Sequence, residues 1–111
     1  MNPPIDPRHL IAERRRRQEH FPDMTEPGWF MLLKMVVSAE EGRQLTILQA
    51  AACAFVPPTS ALRHLGWLVE DGMVERSVDP KDARRIFVAL TATGARRMAT
   101  YLKGKRKYRV R

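Results

Sequence analysis

Apolar residues along this chain follow two rhythms. Trp29, Leu32, Leu33, Val36 and Val37 recur at helical spacing and mark a core stripe. Ile86, Val88 and Leu90 alternate at period two, as in a half-buried strand. The Trp29 helix starts at Thr25-Glu26-Pro27, runs to about Glu41 and ends at Gly42. With Phe30 and Met31 it is apolar around much of its surface, so it is either central to a small fold or shared with another subunit.

Punctuation residues place the other elements. Asp6-Pro7 is a cap followed by proline at the first helical position, and residues 8–20 suit a helix whose main apolar residues are Leu10 and Ile11. Leu45 reads as a short extended link. Thr46-Ile47-Leu48-Gln49 is a capping box that opens an alanine-rich helix to about Ala54. Phe55-Val56 is a turn. Pro58 then starts a longer helix that runs to Asp71 and stops at Gly72. Its inner face is Leu62, Leu65, Leu68 and Val69. Thr59, Ser60, Arg63 and Gly66 lie toward the outer face, with His64 and Trp67 on the flanks. Residues 72–78 form a strand that pairs with the 86–90 strand as a hairpin, whose tip carries Lys81, Arg84 and Arg85. Thr91 opens a last helix to about Leu102.

The expected organisation is a basic N-terminal helix or arm over 1–24, a winged helix-turn-helix domain over 25–102 and a basic tail over 103–111. The fold class is mainly α with a two-stranded β wing, because a short helix, a tight turn and a longer helix lead directly into the hairpin.

Charge narrows the function. Twenty Lys and Arg against twelve Asp and Glu give a formal net charge of +8. A domain so basic meets nucleic acid or an anionic surface. Four consecutive arginines, Arg14 to Arg17, spread around a helix and cannot all face one partner. They form either a solvated arm or a helix that pairs with Glu13 and Glu19, or else a phosphate-contacting or dimer-edge segment. The tail from Lys103 to Arg111 holds six further cations and has too little apolar content to order by itself. No 18-residue apolar run is present and the first residues show no signal-peptide core, so a cytoplasmic location is expected. The single cysteine, Cys53, fits a reducing compartment and reads as a small buried hydrophobe.

An enzyme is not expected. The histidines at 9, 20 and 64 are scattered, and no metal-ligand spacing, phosphate loop or nucleophile–base arrangement is legible. Catalytic residues, metal ligands and cofactors are therefore all read as none. A helix fits the major groove with its N-terminal residues nearest the base edges. Arg63 can donate two parallel hydrogen bonds to guanine. Thr59 and Ser60 can bond phosphate or base, and His64 can contribute or pack on the flank. Arg84 suits the narrow minor groove, and Lys81 and Arg85 suit phosphates. Asp82 is misplaced for phosphate, so its use is internal: it pairs with Arg84 or a neighbouring arginine and fixes the loop.

The ordered string Ser60-Ala61-Leu62-Arg63-His64-Leu65, then Leu68-Val69-Glu70-Asp71-Gly72-Met73-Val74-Glu75-Arg76, then residues 79–91, resembles the winged-helix core of the MarR transcriptional regulators. The resemblance is richest over residues 45–94, and the family's Asp-x-Arg wing signature falls on Asp82 and Arg84. It implies that Arg84 enters the minor groove, that Asp82 braces the wing and that the chain forms a homodimer through its first and last helices. Here the last helix is short. No residue set for a small-molecule effector is readable, so an effector is left as an unsupported partner. The function expected is sequence-specific binding of double-stranded DNA in transcriptional regulation. The alternatives are a winged-helix protein-interaction module and a nonspecific nucleic-acid binder.

Overall fold

Helices α1, α2 and α3 each begin where a side chain satisfies a free amide. The computed structural model describes residues 3–107, with side chains to residue 103. Helix α1 is Pro7–His20, and its cap Asp6 accepts from the Arg8 amide at 2.9 Å. Helix α2 is Glu26–Glu40, and Thr25 Oγ1 accepts from the Gly28 amide at 3.1 Å. At the start of α3, Ile47–Ala51, the capping box closes in both directions: Gln49 N donates to Thr46 Oγ1 at 3.1 Å and Thr46 N donates to Gln49 Oε1 at 2.8 Å. Such a box satisfies two amides that the helix itself cannot. Helix α4 is Pro58–Glu70 and α5 is Ala92–Lys107.

Between α3 and α4 the chain turns with Phe55 at a φ of 60°, a left-handed conformation more usual for glycine. After α4, Gly72 takes a φ of 75° and turns the chain into the hairpin, β2 Val74–Asp79 and β3 Asp82–Leu90.

The sheet has three strands rather than two. Leu45 is not a bare link: with Thr46 it forms β1, which pairs antiparallel with β3 through Leu45↔Val88 and Thr46↔Phe87. The order is β1-β3-β2. This third strand fastens the start of the helix-turn-helix to the wing, and Leu45 and Val88 are both buried there.

The core lies where α2, α4 and the sheet meet, around Met31, Leu32, Leu65, Met73 and Val74. Two expected stripes are rotated. On α2 the buried apolar side chains are Trp29, Met31, Leu32 and Met35, while Leu33 and Val36 are half-buried and Val37 is exposed. On α4 Ala61 is fully buried and Leu62 is exposed. On α4 the small Ala61 is inside and the bulkier Leu62 beside it is out, whereas on α2 the long side chains of Met31 and Met35 fill the core. Helix α3 ends at Ala51 rather than about Ala54, and Cys53 is half-buried, with Sγ 3.6 Å from the Gln49 carbonyl oxygen.

The N-terminal helix is packed onto the domain. Tyr101 of α5 is buried in a ring cluster with Phe21, Trp29 and His20, and its hydroxyl donates to the Glu13 carbonyl at 3.4 Å. The backbone of α5 continues as helix to Lys107, past the expected end near Leu102; the remainder of the basic tail lies outside the described residues.

At its other end α5 sits on the root of the wing. Thr91 Oγ1 accepts from the Gly94 amide at 2.9 Å and donates to the Gly72 carbonyl at 2.6 Å. A Cβ on Gly94 would lie 2.1 Å from the Met73 carbonyl oxygen, so only glycine allows this approach.

Candidate nucleic-acid interface

The first turn of α4 is the exposed end of the helix-turn-helix. Pro57 and Pro58 supply two residues without amide protons and set the backbone for helix entry. Pro57 makes no side-chain cap, so the amides of Thr59 and Ser60 face outward at the positive end of the helix dipole. Thr59 and Arg63 are exposed and Ser60 is half-buried. These three side chains therefore share one accessible strip, at spacings that a helix places together.

His64 is drawn away from that strip. Its Nδ1 is 2.8 Å from Thr25 Oγ1 and its ring meets Trp67 edge-on, with centroids 4.7 Å apart. The same Thr25 caps α2. His64 therefore ties the candidate recognition helix to the start of α2 rather than projecting outward.

The wing owes its shape to two aspartates. Asp82 Oδ1 accepts from the Arg84 amide at 3.0 Å and from Arg84 Nε at 3.2 Å. The Arg84 hydrogen bond holds the Asp82 carboxyl below its ordinary range. The ion pair uses Nε, and the Arg84 side chain remains 91% exposed. Asp79 had no role in the sequence reading. It is buried, accepts from the Lys81 amide at 2.8 Å and lies 3.9 Å from Arg85 Nε. The β2–β3 register passes from Val78↔Ile86 directly to Asp79↔Asp82, so Ala83, Arg84 and Arg85 have no partner across the ladder. An irregularity of this kind re-aims the side chains it carries. It turns Arg84 out, whereas Arg85 folds back over the Phe87 ring, 5.7 Å from its centroid. Lys81 is exposed at the tip.

The arginine run of α1 takes a different course. Arg17 is buried and pairs with Glu26 of α2, not with Glu13 or Glu19, and lies 5.4 Å from the Trp29 ring centroid. Burial lowers its pKa from the ordinary arginine value. Arg16 stacks 4.2 Å over Tyr101, and Arg14 is 3.5 Å from Glu26. Arg15 is exposed.

An open apolar cleft of about 380 Å³ is lined by Leu48, Ala51, Ala52, Phe55, Val56, Pro57 and Pro58. Phe55 stands 80% exposed on its edge and meets Phe30 of α2 edge-on at 5.1 Å. Met31, the other expected surface hydrophobe of α2, is fully buried. Among the described residues no group of three His, Cys, Asp or Glu could hold a metal, and no helix is long and apolar enough to cross a membrane.

No family model matches the chain. The transcriptional regulator HosA of Escherichia coli O111:H- is 29% identical over 93 residues, which cover 83% of this chain and 66% of that regulator. The chain thus spans just under two thirds of this relative's length. The S. aureus MepR–DNA complex superposes with a TM-score of 0.76 at 19% identity, covering 94% of this chain and 82% of MepR. A single-substitution mutant of MarR from E. coli gives 0.66 at 26% identity, with 92% and 77% covered.

Proposed function

From the MarR-type winged helix-turn-helix fold of this chain, we propose that it is a transcriptional regulator that binds double-stranded DNA sequence-specifically in the cytoplasm, as a homodimer. One observation carries the reading: α4 presents Thr59, Ser60 and Arg63 beside a wing whose Arg84 is braced by Asp82 yet almost fully exposed. Helix α4 enters the major groove and Arg63 reads a base edge, with Thr59 and Ser60 on base or phosphate. Arg84 enters the adjoining minor groove, where the narrow groove's negative potential favours a guanidinium. Lys81 and Arg85 take phosphates. For Arg85 this requires release from Asp79, a weak pair at 3.9 Å. His64 supports the helix from behind through Thr25.

The dimer rests on α1, whose outer side exposes Leu10 and Ile11, with Ile5 just before it. Two copies would place their α4 helices in successive major grooves, roughly 34 Å apart. If about six phosphates are neutralised, log affinity falls against log salt with a slope near −5. Selection from a random pool of double-stranded DNA tests the reading. A recovered motif with this salt dependence supports it; no enrichment overturns it. Arg63→Ala then relaxes preference at one base position, at a cost of about 1–3 kcal/mol.

The apolar cleft beside Phe55 favours a second reading, a winged-helix module that binds protein. Electrophoretic mobility of mixed DNA at low salt, with and without excess competitor, separates the two.

A further inference from the structure

Alternate residues of a strand share a face. In β2, Val74 faces the core, so Arg76 lies on the same helix-facing side, opposite the buried Val88 of β3. Its side chain therefore leaves the rim of the core and runs out over α4. There it meets Gly66, where a Cβ would lie 3.9 Å from Arg76 Nη2. Gly66 sits three residues after Arg63, which puts both on one strip of the helix. Glycine is unfavourable in a helix interior, so a bare position there is informative. An alanine would make ordinary contact with the guanidinium, but a longer side chain would occupy its place.

Arg76 also differs from the two arginines at the end of the hairpin. Arg84 is paired with Asp82 and Arg85 with Asp79, whereas Arg76 is exposed and no ion pair or hydrogen bond involves its side chain among the described residues. A guanidinium held beside the α4 backbone, one helical turn from Arg63, stops short of the floor of a groove that α4 would occupy. With α4 in a groove, a cation at that place would meet the sugar-phosphate backbone along the groove's edge rather than a base.

We propose that Arg76, seated in the gap that Gly66 leaves on α4, is a further DNA-contacting residue, and that it clamps a backbone phosphate next to the bases facing Arg63. This rests on the reading of α4 as a recognition helix. The contact positions the helix and carries no base preference of its own.

The test uses the full chain and the DNA motif recovered by selection, titrated at several salt concentrations. In Arg76→Gln the slope of log affinity against log salt becomes shallower by about 0.9, which is about a fivefold loss near 0.15 M salt, equal across single-base variants of the site. Arg76→Lys keeps most of the slope. Gly66→Glu, with Arg76 intact, loses the same increment because the new carboxylate captures the guanidinium. Circular dichroism confirms that each variant is folded, and Arg76→Gln and Arg76→Lys decide the matter should Gly66→Glu not fold. An unchanged slope in Arg76→Gln overturns the proposal, as does a changed base preference at one position. If the unmodified chain selects no sequence at all, the underlying reading of α4 fails instead.

Discussion

Arg16 and Arg17 of α1 and Arg84 of the β2–β3 hairpin end in opposite environments. On α1 the helical repeat carries two of four consecutive arginines onto aromatic side chains, Arg16 over Tyr101 and Arg17 against Trp29, and Arg17 is only 8% exposed. On the hairpin an irregular register leaves Arg84 with no cross-strand partner, and a neighbouring aspartate fixes it in the open. A guanidinium is weakly hydrated and stacks readily, so nearby rings decide whether it serves packing or recognition. In this chain α1 uses Arg16 and Arg17 as structural material, while the wing keeps Arg84 exposed.

Helix α5 touches both regions: Tyr101 reaches α1 and Gly94 sits on Met73 at the root of the wing. Breaking that joint should therefore abolish the contrast. Gly94→Ala places a methyl 2.1 Å from the Met73 carbonyl oxygen, which nothing but backbone movement relieves. A loss of about 3 kcal/mol is expected, with weaker DNA binding because the wing shifts. Denaturant unfolding measures it. A midpoint equal to that of the unmodified chain would show that α5 is not fastened there.

The next largest effect separates the regions. Arg17→Ala removes a buried side chain from between Trp29 and Glu26. Lost stacking and packing together cost about 2 kcal/mol, or about 10 °C in melting temperature. At temperatures where the variant is folded, its affinity for DNA and the salt slope stay unchanged. A reduced slope would place Arg17 at the phosphates after all.

Arg84→Ala should do the reverse. Its ion pair lies on the surface, where such pairs contribute little, so the melting temperature holds. Affinity for the selected site falls about tenfold, as expected for one charge-assisted contact of ~1.5 kcal/mol. Equilibrium binding and a melt of the same sample check both halves. A variant that melts early but binds normally once folded would exchange the roles of the two regions.

Much of this contrast could be read in the residues, and the unread part has physical causes. Caps are local, so Asp6, Thr25, Thr46 and Pro58 marked their helices in the sequence. The hairpin was visible from the alternation of Ile86, Val88 and Leu90. Strand β1 was not, because two residues, Leu45 and Thr46, carry no periodicity; only their pairing with β3 makes them a strand. The inner faces of α2 and α4 were read from the spacing of their large apolar residues, but packing put Met35 and Ala61 inside and left Val37 and Leu62 out. Arg17 was legible as a cation and not as a core residue, since its partners Trp29 and Glu26 belong to another helix. Arg76 was missed because Gly66, which defines its surroundings, belongs to another element, and of the two roles open to His64 the flank contact is seen, on Thr25 and Trp67.

The smallest expected effect concerns the brace itself. Hydrogen bonding to the Arg84 side chain lowers the Asp82 pKa in the folded chain below the ordinary 3.8. The carboxylate is therefore ionised and bonded throughout the neutral range. Its contribution is complete above the ordinary value and is lost only as the pH falls below it, through the depressed folded value. The pair is exposed, so this loss loosens the wing without unfolding the domain. An NMR titration should show the Asp82 carboxyl and the Arg84 Nε–H shifting together below pH 3.8, while Trp29 and Tyr101 signals stay fixed. Asp82→Asn keeps a side-chain acceptor for the Arg84 amide but removes the charge, so it should abolish the coupled titration and weaken DNA binding less than Arg84→Ala. If Arg84 does not respond when Asp82 is protonated, the aspartate does not hold the arginine, and the exposed end of the comparison depends on the register irregularity alone.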